Sequence, residues 1–219
     1  MSGAADRRQQ VLDAIAVAAK VAGRNSADVR LIAVSKGRSQ AEIEELIDTG
    51  QRDFGESRVQ EALAKWPDLL ARHADLRLHA IGRLQSNKAA EAVRLFDTIH
   101  SLDRASLLEA LAREAQKAER CPAVYVQVNI GEEEQKGGCA IGEVGDLVGA
   151  VRASPLPLAG LMAIPPAGLD PAPYFALLAE IARRHDVAGL SIGMSGDFKT
   201  AVMLGATAVR IGTILFEDQ

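Results

Sequence analysis

The chain has 219 residues, 48% hydrophobic and 25% charged, which suits one barrel-sized domain with a large apolar core. Its 25 basic and 29 acidic residues leave a net charge of −4. That balance argues against a nucleic-acid surface, which needs clustered positive charge.

The elements alternate. A helix is predicted over Arg7 to Ala22, then a strand over Val29 to Ser35 and a helix near Ala41 to Thr49. A brief strand at Asp53–Phe54 leads into a helix through Val59 and Leu63. Leu76 to Ile81 reads as the third strand, Ser86 to Leu95 as a helix, and Thr98 to His100 as the fourth strand. A helix over Arg104 to Arg120 precedes the clearest strand, Ala123 to Asn129, whose long glycine-rich connection reaches a helix near Val144 to Ala153. Leu158 to Met162, Leu190 to Ile192 and Ala208 to Ile211 complete the strands, with helices over Pro173 to Arg184 and Asp197 to Leu204 between them. Short apolar runs followed by helical periodicity are the pattern of βαβ units. Eight of them predict a single-domain (β/α)8 barrel over residues 1–219. An open doubly wound sheet is the alternative, but the first turn, Ser35-Lys36-Gly37-Arg38, lacks its glycine fingerprint.

In such barrels the working residues sit at the C-terminal strand ends, and phosphate is held by the loops after strands seven and eight. The first of these loops is Gly193-Met194-Ser195-Gly196-Asp197, opening into a helix that Ser195 can cap. The second is Arg210-Ile211-Gly212-Thr213, with a glycine for close approach and a hydroxyl donor. Each alone reads equally well as an ordinary turn; two on adjacent strands favour a phosphate. Lys36 ends strand one on the face of Ile32 and Val34. Strand one pairs with strand eight in a closed barrel, so this amine lies beside the phosphate loops. Partial desolvation there would free some neutral amine for Schiff-base chemistry. A snorkelling surface lysine is the ordinary alternative. An aldehyde carrying a phosphate, such as pyridoxal 5′-phosphate (PLP), matches both features.

A series of segments extends the pattern: Ala33-Val34-Ser35-Lys36, Phe54-Gly55-Glu56, Leu84-Gln85-Ser86-Asn87-Lys88, His100-Ser101-Leu102-Asp103, Gln127-Val128-Asn129-Ile130-Gly131, Gly160-Leu161-Met162-Ala163-Ile164-Pro165, Gly193-Met194-Ser195-Gly196-Asp197 and Val209-Arg210-Ile211-Gly212. In this order the chain resembles the PLP homeostasis protein family, itself similar to the barrel domain of alanine racemase without its second domain. The resemblance implies a Schiff base on Lys36. It implies phosphate contacts from Ser195, Gly196, Arg210, Gly212 and Thr213, with Met194 near the cofactor and Asn129 lining the ring pocket. It further implies a reversible, non-catalytic carrier of PLP, with PLP-dependent apoenzymes as acceptors. Two departures stand out. Ser57 replaces an asparagine usual in the family, and Leu78-His79-Ala80 replaces a strand with two aromatics.

Other residues read as structural. His79 and His100 fall near strand ends, His73 and His185 on surface turns, and Glu132-Glu133-Glu134 in a solvated loop where Lys136 could meet a second anion. Cys121 and Cys139 match no zinc spacing, so no metal is expected. No run approaches the roughly 18 apolar residues of a membrane span, and Met1 to Arg8 has no signal-peptide pattern. A cytoplasmic monomer is expected. Two competing functions remain, an amino-acid racemase and a Schiff-base aldolase. Racemisation needs acid and base on both faces of the cofactor. The opposing tyrosine of the racemases lies in a second domain, for which a chain ending at Gln219 has no room.

Overall fold

A computed structural model describes residues 3–217; Met1 and Ser2 at the start of the chain and Asp218 and Gln219 at its end lie outside the described residues. Eight parallel strands close into a barrel in sequence order: β1 (Arg30–Val34), β2 (Asp53–Glu56), β3 (Arg77–Ala80), β4 (Thr98–Leu102), β5 (Ala123–Gln127), β6 (Leu158–Met162), β7 (Leu190–Ser191) and β8 (Ala208–Ile211). The helices are α1 (Ala4–Val21), α2 (Gln40–Asp48), α3 (Val59–Arg72), α4 (Ala89–Leu95), α5 (Ala105–Ala118), α6 (Val144–Arg152), α7 (Ala172–Arg184), α8 (Phe198–Met203) and α9 (Thr213–Phe216). The predicted order holds throughout; the short α9 was not anticipated.

Local chemistry explains the boundaries. α2 begins at a capping box in which Ser39 and Glu42 satisfy each other's backbone N–H groups. β2 runs two residues beyond the predicted Asp53–Phe54 because Gly55 and Glu56 pair with His79 and Ala80 of β3; Gly55 faces the packed interior, where a Cβ would lie 3.1 Å from Ile32 and Ile81. β5 stops at Gln127, short of the predicted Asn129. That asparagine is drawn into the following loop, where its side chain bonds both backbone groups of Glu133 (3.0 and 3.2 Å). At the opposite end of the barrel, arginines clasp carbonyls at and just beyond helix C-termini. Arg8 holds Thr49 and Gly50, Arg24 holds Val202 and Ala206, and Arg120 holds Val93 and Phe96.

Between barrel and helices the core is apolar, with Phe54 on β2 packed 5.2 Å from Trp66 on α3. The barrel interior is not. Asp53, His79, His100, Ser191 and Arg210 are all buried there. Burial holds both histidines below the ordinary imidazole value, and His100 well below it. Burial alone would raise Asp53, but hydrogen bonds from His79 and Arg77 keep its pKa low. These shifts act in one direction. The unfolded chain takes up protons that the folded imidazoles refuse, so their contribution is complete above about pH 6.5 and is lost as pH falls below it. Asp53 adds a further loss below about pH 4. Urea unfolding is expected to give lower stability at about pH 5 than at about pH 7.5; equal values would contradict the neutral histidines.

Candidate cofactor-binding site

Lys36 sits at the C-terminal mouth, in a turn closed by Arg38 N–H to Ser35 C=O (3.1 Å), with Gly37 at φ +71° in the position such a turn reserves for glycine. The turn is braced from behind. Lys65 on α3 donates to the Ser35 carbonyl (2.8 Å) and pairs with buried Glu56 (2.6 Å), which also accepts from Ser35 Oγ and Trp66 Nε1. In front, Arg38 lies 5.2 Å over the Phe216 ring and pairs with Glu217, bringing the end of the described chain against the same turn. Lys36 itself is exposed and has no partner among the described residues. The partial desolvation expected from its strand position is therefore absent; its amine stands free in solvent.

β8 is the neighbour of β1, with Ile32 opposite Arg210 and Ala33 opposite Ile211. Gly212 follows, and a Cβ on it would come within 3.4 Å of Val34. In the β7–α8 loop, Gly193 (φ +94°) lets α8 close on the strand end, where a Cβ would strike Ala201 at 2.6 Å. Asp197, rather than Ser195, occupies the cap position, and its carboxylate takes the Met194 N–H (2.6 Å). Ser195 is thereby left with an unbonded hydroxyl. The backbone N–H groups of Ser195, Gly196, Gly212 and Thr213 likewise have no partner among the described residues. Nothing lies within 4 Å of where a Gly196 side chain would be, and the segment opens on a cavity of about 440 Å³ shared with α1. Unbonded N–H groups and hydroxyls at adjacent strand ends are the donor set that an anion cradle requires. Because α8 has six residues, its dipole would add little to the N–H groups themselves.

One expected contact needs revision. The Arg210 guanidinium is buried inside the barrel, donating to Ser191 O and Oγ (2.7 and 2.5 Å) and to Ala163 O (3.2 Å). Its side chain belongs beneath the mouth rather than among the phosphate donors. Burial lowers its pKa to about 10, which leaves it cationic at neutral pH. Asn129, expected to line the ring pocket, is held through its amide by the backbone of Glu133, as described above. Met194 is exposed beside the cradle. Lys136 is tied to Glu133 and to the Pro165 carbonyl, and is not free for a second anion. Sequence alone assigns no role to Lys65 or Ser191 and places Glu56 only within the Phe54-Gly55-Glu56 segment, because nothing in a single polar residue reveals the strand or helix it will meet.

The profile of the alanine racemase N-terminal domain matches residues 11–219. A pyridoxal phosphate homeostasis protein of Synechocystis sp. is 40% identical over 201 residues, covering 87% of this chain and 92% of its own. The Escherichia coli strain K12 protein of the same name is 38% identical, covering 99% and 97%. This chain belongs to the pyridoxal phosphate homeostasis protein family. Among solved structures, that of PipY from Synechococcus elongatus with PLP bound is 39% identical, with a TM-score of 0.79 over 92% of this chain and 99% of that one. An alanine racemase of Clostridium difficile shares the fold alone, at 15% identity and TM-score 0.74, and this chain spans 57% of its length. Among the described residues no group of His, Cys, Asp or Glu side chains could hold a metal, and no helix is long and apolar enough to cross a membrane.

The residues present fit PLP. An unpartnered primary amine and a set of unbonded N–H donors stand at neighbouring strand ends, one for each reactive end of the molecule.

Proposed function

We propose that this protein holds PLP reversibly at Lys36 and so buffers its free concentration, without turning over amino acids. PLP brings an aldehyde that condenses with a primary amine and a phosphate that an N–H cradle can seat. The observation that carries the reading is the exposed, unpartnered Lys36 on β1 beside the unbonded N–H groups that follow β7 and β8. Ser195, Gly196, Gly212 and Thr213 bind the phosphate, Met194 flanks it, and Arg210 faces the cofactor from below. Exposure of the amine leaves the covalent link open to exchange with another amine. That is what a carrier needs if PLP-dependent apoenzymes are its acceptors.

The cradle has a direct test. Pyridoxal, which lacks the phosphate, is expected to bind far more weakly than PLP. Ser195→Ala is expected to weaken PLP by about 1–3 kcal/mol, the worth of a hydrogen bond to a charged group. Equal affinity for the two aldehydes, measured by titration, would remove the phosphate assignment.

Racemisation requires an acid or base opposite Lys36. Tyr125 stands at the other end of the barrel, lining the N-terminal cavity and stacked 4.4 Å from His100. Tyr174 packs against the core from the first turn of α7. The purified protein is therefore expected to racemise alanine far below the enzyme median of about 10 s⁻¹. Lys36-dependent turnover near that rate would make it an enzyme.

A further inference from the structure

Beneath the mouth, side chains from five strands form an unbroken polar line. Arg210 on β8 donates to Ser191 Oγ on β7 (2.5 Å), and Ser191 Oγ lies 2.8 Å from His100 Nδ1 on β4. His100 Nε2 lies 3.0 Å from His79 Nδ1 on β3, and His79 Nε2 lies 3.0 Å from Asp53 Oδ1 on β2. None of the five residues is more than 7% exposed.

Burial holds both imidazoles below their ordinary pKa, so the rings are neutral at neutral pH, and the carboxylate end then fixes the direction of every bond. A carboxylate only accepts, so His79 carries its hydrogen on Nε2 and gives it to Asp53. His79 Nδ1 must then accept, so His100 carries its hydrogen on Nε2 and gives it to His79. His100 Nδ1 in turn accepts the hydroxyl hydrogen of Ser191, whose oxygen receives from Arg210, a group that only donates. Both rings are of the same tautomer.

We propose that this directional chain orients and polarises the Arg210 guanidinium toward bound PLP, making Asp53, His79, His100 and Ser191 positioning residues for the cofactor. The proposal rests on the PLP reading. Lys36 lies four residues beyond Ile32, the β1 neighbour of Arg210, and Ile32 faces the interior. A ring tethered at Lys36, with its phosphate at Gly212, thus has Arg210 below it. The three bonds to Ser191 and Ala163 leave two of the five guanidinium N–H groups for the cofactor. Hydrogen bonds in series strengthen one another, so a change at Arg210 reaches His79, which the cofactor does not touch. At the far end Asp53 is shared by Arg30 (3.2 Å) and Arg77 (2.9 Å) beside a cavity of about 690 Å³. Other charges felt along the line are Asp97 at His79 and Arg30 at both histidines.

Nitrogen-15 NMR of the histidine side chains tests this. In the unliganded protein, His79 and His100 are expected to show a protonated Nε2 and an unprotonated Nδ1. Adding PLP is expected to shift the nitrogens of both. In Ser191→Ala the response at His79 and His100 disappears and PLP binds about tenfold more weakly. Ser191→Thr, which keeps the hydroxyl, restores both. The opposite tautomer in either ring overturns the proposal, as does PLP that binds the unaltered protein and leaves both histidines unchanged. The unaltered protein alone yields these outcomes should a variant fail to fold. Absence of PLP binding overturns the PLP reading and this role with it; the tautomers, read without ligand, distinguish that failure from a wrongly directed chain.

Discussion

Lys65→Met is expected to lower the unfolding free energy by about 3–5 kcal/mol, the cost of removing one partner of a buried ion pair. Glu56 is fully enclosed and Lys65 nearly so, their charged atoms 2.6 Å apart. Methionine fills a similar volume but leaves the Glu56 carboxylate without its cation and the Ser35 carbonyl without its donor. Glu56→Gln in the same chain removes the stranded charge and is expected to restore much of the loss. Urea unfolding of the two single variants and the double variant measures this directly. A loss under about 1 kcal/mol would place the pair with exposed ones, whose worth is small. Because Lys65 also braces the turn that carries Lys36, its loss is expected to weaken PLP binding at a site it does not touch.

Lys36→Ala is expected to abolish covalent retention of PLP completely while leaving a weaker, reversible affinity. The two halves of the site are separable. The amine forms the covalent link, whereas the cradle of Ser195, Gly196, Gly212 and Thr213 comes from backbone and hydroxyl groups the substitution leaves in place. Lys36 makes no bond to other described residues and is exposed, so the variant is expected to fold with nearly unchanged stability. Dialysis after incubation with PLP should leave the variant colourless and the unaltered protein yellow. A variant that stays yellow would move the link to another lysine.

The architecture was legible because its signals are local. Alternating apolar runs and helical periods place eight strands within a few residues, and strand alternation puts Lys36 on the face of Ile32 and Val34. Closure of the barrel then supplies the β1–β8 neighbourhood. What escaped depends on contacts between distant strands. The resemblance implies that Arg210 is a phosphate ligand, yet Ser191 on β7 and the Ala163 carbonyl after β6 draw its guanidinium inward. Asn129 reads as the end of a strand until the loop beyond folds back and takes its amide. Asp53 and Ser191 look unremarkable in short strands; only the closed barrel stacks them with two histidines into one line. The supporting pair of Glu56 and Lys65 is hidden for the same reason, since one lies on a strand and the other on a helix nine residues later.

The most direct test of PLP held on Lys36 is borohydride reduction of the PLP-loaded protein, followed by peptide mapping. Reduction turns a reversible carbon–nitrogen link into a permanent one and records which amine formed it. The expected result is one pyridoxyl group on the peptide containing Lys36, absent from Lys36→Ala. Label confined to other lysines, or no label on a protein saturated with PLP, would contradict it.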